Sequence, residues 1–170
     1  IVNSSIEKDE IIAHNELNIG IAVASSAGLI VPVIKDVFDK SVISIAAEIY
    51  RLVISANSGN LAHSEVTSGT FTINNTGALG SNLSKPIIVP GQAAIMTTEE
   101  INKKPVVVPF DSKRTELQVT INKKEAIEIR SIMNLCLSFD HRIIDGSHAA
   151  DFLNCVKTSM ESFGKDTVLD

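Results

Sequence analysis

The sequence predicts a two-layer α/β sandwich built on a mixed sheet. Short β-branched runs bounded by Gly, Pro, Asn and Ser recur between residues 17 and 139, as in strands. Residues 42–56 space their apolar side chains by three and four, as in an amphipathic helix. A second helical pattern closes the chain. Strands, helix, strands and helix in that order fit helices layered on a mixed or mainly antiparallel sheet.

The elements follow in order. Residues 17–23 (LNIGIAV) predict a buried strand, and Ser25, Ser26, Ala27 and Gly28 a turn. Residues 29–34 (LIVPVI) predict a second strand. Its Pro32 cannot donate a ladder bond, so it marks an edge, a bulge or a place where something else lies alongside. Ser41 caps a helix reaching about Ala56, with Val42, Ile45, Ala46, Ile49, Leu52 and Val53 inward; Asn57, Ser58, Gly59 and Asn60 end it. Residues 70–74 (TFTIN) alternate as a strand and lead into a glycine-bearing loop, 75–81. Residues 93–97 and 105–110 predict two short strands, and 115–121 and 126–139 the two arms of a further sheet region. Ser147 opens the last helix, with Phe152, Leu153, Val156 and Met160 inward.

Composition narrows the function. A chain of 170 residues that is 44% hydrophobic and 21% charged can form one domain with a real core. A net charge of -5 argues against a nucleic-acid surface, which needs a basic field. No apolar run is long enough for a membrane span, and no signal peptide is visible. Cys136 and Cys155 read as buried free thiols of a reducing compartment, with a cytoplasmic location expected.

The most informative segment is residues 137–146, LSFDHRIIDG. A strand runs into a polar turn holding His141 and Asp145. Side chains at a strand end are held firmly yet face a cleft, which a positioned base requires. A His near an Asp is more often a structural or surface pair. His141, Asp145 and His148 also have metal-like spacing, but Gly146 and a cap at Ser147 break the shared face such a site needs, so no metal is expected.

Taken whole, SFDHRIIDG resembles the His-x-x-x-Asp-Gly signature of the dihydrolipoyl acyltransferases of 2-oxo acid dehydrogenase complexes and of their fold relative chloramphenicol acetyltransferase. NIGIAVASSAGLIVPVIKD (18–36), SGTFTINNTGALGS (68–81) and PIIVPGQAAI (86–95) resemble the same family in order and spacing. The resemblance implies a chloramphenicol acetyltransferase-like fold, with residues 1–170 forming an acyltransferase catalytic domain that lacks its N-terminal portion. It implies coenzyme A as substrate and a lipoyl group carried on a separate lipoyl domain. It implies a homotrimer that builds a cubic or dodecahedral core and works with decarboxylase and dihydrolipoyl dehydrogenase components. Each active site would lie between neighbouring subunits, with His141 from one and much of the opposite wall from the next.

Roles follow from the resemblance. His141 is the base that takes a thiol proton. Asp145 orients the turn, pairing with an Arg from elsewhere; Arg142 is a possible local partner. Many relatives place an oxyanion-stabilising Ser where this chain has Asn74, followed by Asn75; an amide can donate too. Without the resemblance, the two asparagines read equally well as a strand-ending turn. Gly28, Leu29, Asn75, Thr97 and Glu99 are the expected channel wall for coenzyme A. Lys35, Arg51, Lys85, Lys103 and Lys104 are candidate phosphate neighbours, though each alone reads as solvated charge. The Asn-Asn-Thr-Gly form resembles bacterial branched-chain acyltransferases. Residues 109–128 look longer than the usual hairpin and read as a surface extension. The competing readings are an acetyl- or succinyl-transferring relative, a free-standing acetyltransferase with a hydroxyl acceptor, and an assembly core that has lost catalysis.

Overall fold

The computed structural model describes residues 1–26, 28–110, 119–120, 124–164 and 167. Its centre is a five-stranded mixed sheet. The strands are β3 (Ile19–Ile21), β6 (Val33–Ile34), β7 (Phe71–Asn75), β8 (Ala94–Thr98) and β12 (Leu135–Phe139), in the order β12-β8-β7-β3-β6. β3, β7 and β8 run parallel, and β12 and β6 are the antiparallel edges. With two helices added, this is the expected α/β fold class.

Alternation divides the sheet into two faces. On one, Ile19, Phe71, Ile73, Ala94, Met96, Leu137 and Phe139 meet α2 (Gly146–Ser162) through Ala149, Phe152, Leu153 and Val156. Phe71 and Phe152 pack edge to face with ring centroids 5.5 Å apart. Met160, expected inward, is 44% exposed. It lies near the helix end, beyond the residues packed against the sheet.

α1 (Val42–Asn57) begins as expected, with the Ser41 hydroxyl accepting from the Ser44 N–H at 3.2 Å. It ends where Gly59 takes a left-handed φ of 70° and the Asn60 N–H reaches back to the Ser55 carbonyl. α1 packs against β6 and against β4 (Val23–Ser25). Its buried stripe, centred on Leu52 and Ala56, is narrower than expected; Val42 and Ala46 are exposed.

Three differences from the sequence expectation have physical causes. The two expected strands of 17–34 are four. β3 and β6 join the main sheet, whereas β4 and β5 (Gly28–Ile30) form a separate hairpin. The break falls at Ala22 and at Val31 and Pro32. Pro32 is buried and, lacking an N–H, joins the pairing only by accepting from Ile21. Secondly, 126–139 is not one arm. Met133 and Asn134 separate β11 (Glu125–Ile132), which pairs with β9 (Asn102–Pro109), from β12 in the main sheet. The other expected arm, 115–121, is described only at β10 (Val119–Thr120), paired with β11. Most of the extension read over 109–128 likewise lies outside the described residues. Thirdly, an unexpected hairpin opens the chain: β1 (Ser4–Glu7) and β2 (Glu10–Ala13). Its turn residues Lys8 and Asp9 both have positive φ, 48° and 69°, a geometry normally signalled by Asn-Gly or Asp-Gly.

The cysteines are free. Cys136 is half-buried, and Cys155 is exposed rather than buried as expected. Among the described residues no helix is long and apolar enough to cross a membrane.

Candidate active site

The turn that carries His141 is fixed from both sides. At its start the Asp140 N–H continues the sheet ladder to the Ala93 carbonyl at 2.8 Å. At its end Ile143 and Ile144, 7% and 0% exposed, are sunk into the core, and both their N–H groups donate to the Asp140 carbonyl. The Asp140 carboxylate then accepts from the Arg142 N–H at 3.0 Å and from the Arg142 guanidinium, whose Nη2 lies 2.6 Å away. His141 is left exposed at the apex, its ring centroid 5.5 Å from that of Phe139. An imidazole on a clamped turn is what a general base needs.

Asp140 was not singled out from sequence, although an Asp two residues before an Arg at a strand end is a signal for this side-chain turn. The Arg142 guanidinium, with the Arg142 N–H, holds the Asp140 carboxyl at about 2, below the ordinary 3.8. A depressed folded-state pKa stabilises the fold above about 3.8, and that contribution is lost as pH falls towards 2. Thermal melts across this window should show wild type losing stability more steeply than Asp140→Asn. The effect should be small and weaken with salt, because Arg142 is 72% exposed. Parallel melts of the two proteins would contradict the assignment.

Asp145 caps α2, so the cap is not Ser147 as expected. Its Oδ1 accepts from the His148 N–H at 2.9 Å and from the Ser147 hydroxyl at 2.7 Å, and His148 Nδ1 lies 3.0 Å away. The His148 N–H and then the Ser147 hydroxyl hold its carboxyl below the usual range. Arg142, the local partner considered, turns to Asp140 instead. Asp145 thus closes the His141 turn as the residue that starts α2. Asn caps as well as Asp, and Ala does not. Asp145→Ala should lower the melting temperature by roughly a few degrees, and Asp145→Asn should leave it near wild type. Equal losses in both would speak for the charge rather than the cap.

Asn74 lies at the other end of the sheet. In register it pairs with Thr97, which in turn pairs with Cys136. β7 and β8 therefore end near Asn74, whereas β12 runs the opposite way and delivers His141 beyond their beginnings. Strand rise and spacing place Asn74 roughly 14 Å from Phe139, Cα to Cα, before the chain continues two residues to His141. One chain does not bring the two side chains together.

The expected wall residues separate into two groups. Gly28 and Leu29 are exposed on the β4–β5 hairpin, Leu29 at 72%, and Asn75 is exposed with its Oδ1 accepting from the Ala78 N–H at 3.3 Å. Thr97 and Glu99 are buried, at 0% and 2%, and so lie behind the surface rather than on it. The Thr97 hydroxyl has no partner among the described residues. Of the candidate phosphate neighbours, Lys35 donates to the Thr67 carbonyl and Arg51 pairs with Glu65. Among the described residues no three potential metal ligands are gathered.

Residues 1–166 match the family model described as the 2-oxoacid dehydrogenases acyltransferase catalytic domain. The lipoamide acyltransferase component of the branched-chain alpha-keto acid dehydrogenase complex of Bacillus subtilis is 40% identical over 98% of the chain and 36% of its own length. The succinyltransferase component of the 2-oxoglutarate dehydrogenase complex of Bartonella vinsonii is 41% identical over 94% of the chain and 35% of its own length. The chain thus spans about a third of these relatives. Among solved structures, a probable dihydrolipoamide acetyltransferase from Listeria monocytogenes superposes with a TM-score of 0.85 at 41% identity. That match covers 99% of this chain and 66% of the other. The cubic core of a pyruvate dehydrogenase multienzyme complex superposes at 0.81 and 31% identity, over 95% and 61%. A mixed sheet with a clamped histidine turn, matched along nearly its whole length, makes this chain a member of the 2-oxoacid dehydrogenase acyltransferase catalytic-domain family.

Proposed function

We propose that the protein moves an acyl group between dihydrolipoamide and coenzyme A, at a site completed by a second copy of the chain. The observation that carries this reading is the exposed, clamped imidazole of His141 in a member of an acyltransferase family. A thiol of pKa roughly 8.5 is mostly protonated at neutral pH. The His141 imidazole takes that proton as the sulfur attacks the thioester carbonyl. The new C–S bond forms, and the carbonyl π electrons move onto oxygen. Asn74 of the neighbouring copy donates an amide N–H to this oxyanion. When the oxyanion collapses, the original C–S bond breaks, and the His141 imidazolium returns the proton to the leaving thiolate. Gly28, Leu29 and Asn75 line the coenzyme A side.

Separation of His141 and Asn74 within one chain supports the intersubunit site. So does the exposed apolar surface on the loops: Phe38 at 87%, Leu79 at 82%, Leu83 at 74% and Ile87 at 90%. The proposed assembly is a homotrimer that builds a cubic or dodecahedral core, served by lipoyl domains and by decarboxylase and dihydrolipoyl dehydrogenase components. Among acyl groups we infer a branched chain, from the Asn74-Asn75-Thr76-Gly77 segment; overall identity does not separate the branched-chain relative, at 40%, from the succinyl one, at 41%. The test is transfer to dihydrolipoamide by the full-length assembled protein, using isobutyryl-, acetyl- and succinyl-coenzyme A. Turnover should be best with isobutyryl-coenzyme A. Preference for succinyl or acetyl would replace the acyl assignment, and coenzyme A binding without transfer would leave only an assembly core.

A further inference from the structure

Glu99 is 2% exposed, and an ionised side chain so placed needs partners. It finds them in the loop that follows Asn75. The Thr76 hydroxyl donates to one carboxylate oxygen at 2.9 Å, and the Ser84 hydroxyl to the other at 2.5 Å. Ser81 and the Cys136 thiol add further donors. Burial pushes the carboxyl pKa up, but these donors outweigh it and hold the group below its ordinary value, so it is an anion at neutral pH.

Backbone contacts repeat the attachment. The Thr76 N–H donates to the Thr98 carbonyl at 3.2 Å, and the Glu100 N–H to the Ser81 carbonyl at 2.8 Å. Gly77 lies so close to Glu99 that a Cβ there would meet the Glu99 carbonyl at 2.4 Å, so only glycine fits. The start of the 76–84 loop is therefore bolted to the end of β8. Thr76, the residue bonded to the carboxylate, directly follows Asn74 and Asn75, which pair in register with Thr97 and Thr98.

We infer that Glu99 is a positioning residue for acyl transfer: through Thr76 it fixes the Asn74–Asn75 end of β7 at the height at which Asn74 meets the oxyanion. The inference rests on the role given to Asn74 above. It also revises the expectation that Glu99 touches coenzyme A, because both its oxygens are occupied from within the chain.

The test uses the full-length assembled protein and steady-state kinetics. Glu99→Gln keeps the shape but cannot accept from all these donors at once. It should lower kcat by about 10- to 100-fold, as a small misplacement of a reacting group does, and change KM for coenzyme A less than about two-fold. Thr76→Val, which removes the hydroxyl that reaches Glu99 and, at 3.4 Å, Ser84, should reproduce the kcat loss, and it carries the test if Glu99→Gln does not fold. A raised KM with kcat retained would make Glu99 a coenzyme contact and overturn the proposal. So would a lower melting temperature with unchanged kcat. Asn74→Ala alone tests the underlying role. In that background Glu99→Gln should add little further loss, because both act on one interaction. Fully multiplicative losses would mean that Glu99 acts elsewhere. An inert Asn74→Ala would show instead that the Asn74 role had failed.

Discussion

Replacing His141 with alanine in the full-length protein is expected to lower acyl transfer by about two to four orders of magnitude and to leave assembly intact. The rate falls because no other group is offered at the apex of the turn to take the thiol proton. Arg142 next to it is committed to Asp140 and is cationic, with its pKa raised by that hydrogen bond. Assembly survives because the imidazole contributes little to the fold. It is exposed, and the turn is held by Asp140, Ile143 and Ile144. Steady-state kinetics with mass measurement by light scattering checks both halves. Near-normal transfer in the variant would remove His141 from the chemistry.

Asn74→Ala is expected to lower kcat by about 10²–10³-fold, the usual loss of one oxyanion donor, with a much smaller effect on coenzyme A binding. A donor used only when charge develops on oxygen is worth little to the ground state. Asn74 is half-buried at the end of β7, where its backbone is held in register against Thr97. Truncation therefore removes the amide without removing the strand. Asn74→Ser should recover part of the rate, since a hydroxyl also donates, although it is shorter. Circular dichroism separates the alternatives: a variant that fails to fold would make Asn74 a turn former, and normal transfer would move the oxyanion to another donor.

The places of those residues in the fold were legible in the sequence because the signals are local. Ser41 and the three- and four-residue spacing locate α1 to within a residue, and the alternation over residues 70–74 locates β7 (Phe71–Asn75) as closely. The His141 turn follows from a strand meeting a polar segment. What was missed depends on tertiary placement or on weaker local signals. Lys8 and Asp9 make a hairpin turn without the glycine that announces one. Ser147 and Asp145 are both good caps two positions apart, and only the bond from the His148 N–H decides between them. Glu99 is charged, a type almost never fully buried unless paired, so its place beneath the 76–84 loop follows only once Thr76 and Ser84 are folded over it. The split of 126–139 at Met133 and Asn134 similarly reflects which neighbour each half finds, not a change in strand propensity.

The central claim is that His141 and Asn74 act on the same acyl group from different chains. Mixing His141→Ala and Asn74→Ala subunits, unfolding and reassembling them together, tests it most directly. In a random equal mixture of a cyclic trimer, about one quarter of the interfaces combine an intact His141 with an intact neighbouring Asn74. Transfer should therefore rise from the residual level of either variant to about a quarter of that of reassembled wild type. Activity that stays at the level of the parent variants, in mixtures shown to be mixed trimers, would contradict the shared site.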